Sequence, residues 1–238
     1  MKKLWFILLL AGFAHLAHSQ RDANFGAFAG TSYYMGDINP NRHFYRPRPS
    51  LGIIYRINLN KRYAIRASGY YASLSGSDID FTGRTNQNLD RINPDRYFEP
   101  VEFNTSLIDG TLQFEFSFLP FVPNLGNWDY TTYVAGGIGY SIVISSNVRT
   151  NLNADYVRNP IPHLTIPFGI GFKFNMSRRV SAGFEWSFRK TFSDRIDYLR
   201  NPTGDVSVIH NNDWYSFAGI FITYKFFKFA QDCPAYSD

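Results

Sequence analysis

This 238-residue chain has many serines and acids, five histidines and one cysteine, but their spacing assembles neither a catalytic nor a metal site. Apart from the first twenty residues, the histidines are His43, His163 and His210. They are far apart, in three separate segments that read as loops, without the HxxxH spacing or cysteine partner of a zinc site. No G-x-S-x-G elbow surrounds any serine, so no nucleophile signature marks an acyl-transfer enzyme. Gly136, Gly137 and Gly139 stand inside a strand pattern with no following helix. There they read as relief of crowding rather than a phosphate loop. No cofactor and no metal is expected. The single cysteine, Cys233, stands near the end in FAQDCPAYSD. An odd cysteine in an exported chain either pairs with another protein or stays a free thiol. The stretch around Pro234 extends past the last strand, which favours an intermolecular disulfide.

Charge is the other chemistry in the chain. In SLGIIYRINLNKRYAIRAS (residues 50–68) apolar residues alternate on both sides of Asn60-Lys61-Arg62. That period of two means strand, turn, strand. Closure around Lys61 sets Leu59 against Tyr63, Ile57 against Ile65 and Arg56 against Arg66. Like charges directly opposite each other repel, so the two guanidinium groups need carboxylates nearby. Glu115 and Glu185 occupy comparable depths on other strands, which makes Arg56, Arg66, Glu115 and Glu185 one expected ion-pair network. It reads as structural filling rather than as an ion pathway.

Compartment comes from the N-terminus. MKKLWFILLLAGFAHLAHSQ has a basic start, a short apolar stretch and small residues Ala17 and Ser19 at a cleavage position. It reads as a signal peptide over residues 1–19, with the mature chain starting near Gln20. Its apolar core is short for a membrane anchor. Without Lys2 and Lys3 the formal charge falls from +5 to +3, and the remaining basic residues are spread along the chain. A basic stripe for nucleic acid is therefore absent, while a mildly positive exterior suits anionic lipopolysaccharide. Aromatics reach 18%, yet no later stretch approaches the ~18 apolar residues of a spanning helix.

Alternation holds over eight segments, about as long as a tilted strand crossing a bilayer. They cover residues 24–34, 50–59, 63–74, 104–119, 130–144, 164–174, 180–190 and 214–226. Connections at 35–49, 75–103, 145–163 and 191–213 are long and polar, whereas those at 60–62, 120–129 and 175–179 are shorter. Soluble sandwiches also alternate, but this long-short rhythm belongs to transmembrane barrels with brief periplasmic turns. The sequence therefore predicts an all-β fold, an eight-stranded antiparallel transmembrane β-barrel over residues 20–226. It sits in the outer membrane with both termini periplasmic, followed by a periplasmic tail over residues 227–238. Tyr33, Tyr34, Tyr70, Tyr71, Trp128, Tyr130, Trp214 and Tyr215 are expected where amphipathic rings meet head groups. A barrel of this size is too narrow for a wide channel, so inward side chains fill it.

Four stretches resemble the PorG family of small outer-membrane barrels in the Bacteroidetes type IX (Por) secretion system. They are GTSYYMGDINP (30–40), RPSLGIIYRINLNKRYAIRAS (48–68), FSDRIDYL (192–199) and DCPAY (232–236). Gln20 at the mature start also fits exported proteins of that phylum. The resemblance implies a non-enzymatic part of the secretion and gliding machinery, associated with a periplasmic ring of the PorK lipoprotein and PorN. It marks Asp37, Asp194 and Asp197 as family-like loop residues, and Cys233, Pro234 and Tyr236 as a family-like tail that contacts the partner. Residues 75–103 and 145–163 match nothing comparable.

The reading that joins these observations is a barrel anchoring that ring to the outer membrane. A free-standing surface barrel that binds a ligand or acts as an adhesin is the alternative. A lipid-modifying barrel enzyme is a third reading, for which the chain offers no nucleophile signature.

Overall fold

The computed structural model describes residues 22–36, 39, 42–77, 102–121, 130–149, 154–157, 161–192 and 213–226. Nine strands run in chain order: β1 (Asp22–Met35), β2 (Arg48–Asn58), β3 (Tyr63–Ser77), β4 (Glu102–Ser117), β5 (Tyr130–Arg149), β6 (Ala154–Val157), β7 (Ile161–Asn175), β8 (Val180–Thr191) and β9 (Trp214–Lys225). The sheet order is β4-β3-β2-β1-β9-β8-β7-β5, and β4 pairs with β5 to close it. Every pairing is antiparallel. The result is a closed eight-stranded antiparallel barrel, in which each strand of the ring pairs with a neighbour on both sides. β6 stands outside the ring and pairs only with the far end of β5.

The short turns follow from side chains that bind their own backbone. Asn60 Oδ1 accepts the Arg62 and Tyr63 amides at 2.8 Å each, and Leu59 N donates to Tyr63 O at 2.9 Å. At 176–179, Ser177 Oγ accepts the Val180 amide at 3.2 Å. Short polar side chains hold turns in this way. The β2–β3 hairpin pairs Ile57 with Ile65 and Arg56 with Arg66. Beneath it, Phe121 N donates to Lys61 O at 2.7 Å and the Phe121 side chain is buried.

Strict alternation divides the wall into two faces. Leu51, Ile138 and Leu164 point outward at 63%, 69% and 65% exposure, whereas Arg56, Arg66, Glu115 and Glu185 are buried inside. Relative to a soluble protein, the chain is turned inside out.

Three expectations from the sequence need correction. The stretch 145–163 is not all loop: β5 continues to Arg149, and β6 pairs back onto it. The alternation had broken at 144 because the β4–β5 register shifts between Ser106 and Leu107. Such a bulge reverses which face each later residue occupies. Below it Ser141 and Val143 face inward, and above it Ser146 does. Second, Tyr34, Tyr70 and Tyr215 are not rim residues but buried lumen residues. Adjacent strand residues point to opposite faces, so only one ring of each pair Tyr33-Tyr34, Tyr70-Tyr71 and Trp214-Tyr215 faces out. Third, His163 is not on a loop: it lies on β7 and is buried.

Candidate functional site

Inside the barrel, near the turns, one charge layer ties six strands together. Glu115 on β4 meets three cations: Arg56 Nε on β2 at 2.9 Å, Arg66 Nη1 on β3 at 3.2 Å and Lys173 Nζ on β7 at 3.3 Å. Arg66 Nη1 also pairs with Glu185 Oε2 on β8. Glu185 accepts the Tyr133 hydroxyl of β5 at 2.7 Å, and Arg66 donates from Nε to Gln113 Oε1 at 3.2 Å. The Arg56–Arg66 repulsion is thus offset by a carboxylate in contact with both. All these side chains are almost completely buried, where an unpaired charge costs several kcal/mol.

A glycine makes part of this possible. Tyr133, Gly171 and Glu185 occupy one row across β5, β7 and β8. A Cβ at Gly171 would collide with the Tyr133 ring at Cζ. Only a bare backbone lets the tyrosine cross β7 to reach Glu185.

A second layer lies farther from the turns. Arg189 Nε on β8 is 3.4 Å from Asp109 Oδ1 on β4, and the Tyr215 hydroxyl of β9 donates to Asp109 Oδ2. The Arg189 guanidinium also lies over the Tyr70 ring at 5.5 Å and the Phe217 ring at 5.1 Å. Above it, Tyr34 donates to Asp213 at 2.6 Å. Lys173, Gln113, Tyr133, Asp109, Arg189 and Tyr215 are lumen partners that the sequence reading did not join to the network. Their signal was available for Asp109, Gln113, Lys173 and Arg189, which share the inward parity of Glu115 and Glu185.

The outer wall carries an aromatic surface at the other end of the barrel. Residues 42–47 fold back over the outside of β1, where Phe44 packs on Tyr33 at 4.8 Å and on Trp186 at 6.0 Å. His43 sits 5.6 Å from Trp186, and Trp186 Nε1 donates to the Tyr33 hydroxyl at 2.8 Å. The chain of rings continues through Phe188 at 5.1 Å, Phe168 at 5.5 Å and Trp214 at 5.8 Å. Lys190 Nζ lies 5.4 Å over Trp214. Phe44 and Arg46 take φ of 58° and 45°, a left-handed conformation costing roughly 1–2 kcal/mol per residue. The next side chain, Tyr45, points inside and donates to Ser77 O at 3.1 Å. The segment therefore straddles the rim.

Neither layer leaves a carboxylate free beside a nucleophile. No three His, Cys, Asp or Glu side chains converge as metal ligands among the described residues. His43 and His163 are on opposite faces of the wall. Asp37, Asp194, Asp197, His210, Trp128, Cys233, Pro234 and Tyr236 lie outside the described residues.

Among solved structures, a major outer membrane protein from Thermus thermophilus is similar at 12% identity. The match covers 86% of this chain and 99% of that one, with a TM-score of 0.50. Ail, the attachment invasion locus protein of Yersinia pestis, is 9% identical over 87% of this chain and 100% of that one, with a TM-score of 0.46. Neisserial surface protein A is 9% identical over 87% and 98%, with a TM-score of 0.44. At these identities the likeness is one of fold. No curated protein matches the chain. A family described as "Domain of unknown function (DUF6089)" matches residues 2–235, and the chain belongs to that family.

Proposed function

We propose that the protein is a non-enzymatic barrel of the bacterial outer membrane that anchors a periplasmic secretion ring. The observation that carries the membrane reading is the inverted distribution of side chains. Large apolar residues such as Leu51, Ile138, Leu164 and Ile220 stand exposed on the wall, while charges fill the lumen. Leaving such a side chain in water rather than burying it costs roughly 1.5–3 kcal/mol, so a wall made of them belongs in lipid. A closed barrel satisfies its backbone polar groups internally, which lets it resist extraction. The packed lumen and the fully engaged carboxylates support a mechanical role over conduction or catalysis.

The partner rests on the resemblance to PorG-type barrels, which supports type IX secretion and a ring of the PorK lipoprotein and PorN. In this reading residues 1–19 are removed on export, and both ends of the mature chain lie in the periplasm. The short turns and residues 227–238 meet the ring, with Cys233 forming a covalent link beside Pro234 and Tyr236. Gentle detergent extraction and affinity capture of the full mature chain under nonreducing conditions tests it. Copurified ring lipoprotein is the expected outcome. A barrel recovered alone would point instead to the free-standing surface role. Identical migration of the native protein and Cys233→Ser on a nonreducing gel would remove the covalent link but not the ring.

A further inference from the structure

We propose that the aromatic surface over β1, β9, β8 and β7 binds a phosphorylated glycolipid of the outer leaflet. Its sugar would lie on the rings and its phosphate against Lys190. This rests on the orientation argued above, in which the rim bearing residues 42–47 faces the outer leaflet. Three observations carry it. The rings form an unbroken run from Phe44 through Trp186, Phe188 and Phe168 to Trp214, with neighbouring centroids 5.1–6.0 Å apart. Elsewhere on that rim Tyr71 and Tyr140 stand out from the wall, as girdle rings do. Second, the floor beneath the run is made of small outward residues, Ser216 and Ala218, which the neighbouring side chains cover almost completely. The surface is therefore a shelf, built partly by a strap whose backbone takes a costly conformation at Phe44.

Third, the charge at this shelf is positive. Lys190 lies over Trp214 at its edge, and the strap contributes the exposed Arg42. Two carboxylates of this rim are turned elsewhere: Asp213 toward Tyr34 in the lumen, and Glu102 toward Arg46. An acyl chain alone would need no cation at head-group depth. A pyranose ring presents C–H bonds to flat aromatic faces, and a sugar phosphate adds the anion that an ammonium over an indole attracts.

The test uses the full mature chain in a zwitterionic detergent, titrated with diphosphoryl lipid A and followed by native mass spectrometry. Lys190→Ala is expected to weaken retention about tenfold, the size of a partly desolvated cation contact, and Phe44→Ala to weaken it less. Dephosphorylated lipid A should be lost and phosphatidylglycerol should compete poorly. Equal retention by wild type and both variants overturns the proposal, as does competition by phosphatidylglycerol on equal terms, which would mean a generic anionic surface. Far-UV circular dichroism checks that each variant is folded. Orientation is read separately by labelling His43→Cys, in a Cys233→Ser background, with a membrane-impermeant maleimide on intact cells. Labelling without lipid A binding sinks only the glycolipid site. No labelling of folded protein sinks the orientation and the site together.

Discussion

The two charge layers of the lumen bury the same kinds of groups by different means. Near the turns, Glu115 is shared by three cations, and Glu185 is held by Arg66 and by the Tyr133 hydroxyl. Farther in, Arg189 has one carboxylate at 3.4 Å and rests on two aromatic faces. The first layer is a network in which each member depends on several others. The second is a cation on a ring platform, steered by Asp109. A network concentrates its cost at its hubs, because removing one leaves several buried charges uncompensated. A platform spreads its cost, since the rings remain when the carboxylate is changed.

Breaking the hub should give the largest effect. Glu115→Gln leaves Arg56, Arg66 and Lys173 with Glu185 alone, among the described residues, as counter-charge in this layer, and should lower stability by about 3–5 kcal/mol. Urea unfolding in lipid vesicles, followed by tryptophan fluorescence, measures it. Little change in the unfolding midpoint would mean that the carboxylate is not the hub. Gly171→Ala comes next. The added methyl meets the Tyr133 ring, so overpacking should cost about 1–3 kcal/mol. Combined with Tyr133→Ala it should cost clearly less than the sum of the two changes, since contacting sites couple. Strict additivity would mean that Tyr133 is not held over the glycine. Asp109→Asn should cost only about 1–2 kcal/mol, because Arg189 keeps its stacking on Tyr70 and Phe217. A loss equal to that of Glu115→Gln would erase the distinction between network and platform.

The sequence contained the hub but not the platform, and the reason is geometric. Period-two alternation assigns a face to every residue, so Arg56 opposite Arg66, and Glu115 and Glu185 inside, were legible from spacing alone. Alternation gives no distance across the barrel. Lys173 and Asp109 were visibly inward, yet nothing along their strands said which cation or anion they would meet. Tyr34, Tyr70 and Tyr215 were misplaced because clustered aromatics outweighed parity, although parity alone would have put one ring of each adjacent pair inside. The far end of β5 was lost at its bulge, where the period reverses. The fold over the outer wall at Phe44 leaves no sequence signal: positive φ is ordinarily announced by glycine or asparagine, and here a phenylalanine adopts it.

The smallest effect belongs to the rim, where a third kind of ion pair sharpens the contrast. Arg46 Nη1 lies 2.6 Å from Glu102 Oε1, a shorter contact than the 3.4 Å between Arg189 and Asp109. Distance alone would rank the rim pair as the stronger. Exposure reverses the ranking: the Arg46 and Glu102 side chains are 19% and 48% exposed, so water and salt screen their attraction. A double-mutant cycle with Arg46→Ala and Glu102→Ala should return a coupling of about 0.2–1 kcal/mol that shrinks as salt is raised. The cycle is needed because Arg46→Ala alone also changes a residue at positive φ whose carbonyl accepts Ser75 Oγ. Those contributions are common to both arms and cancel. A coupling above the loss seen with Asp109→Asn, unchanged by salt, would mean that this end of the barrel is drier than its exposed carboxylate implies. The rim would then belong with the buried layers.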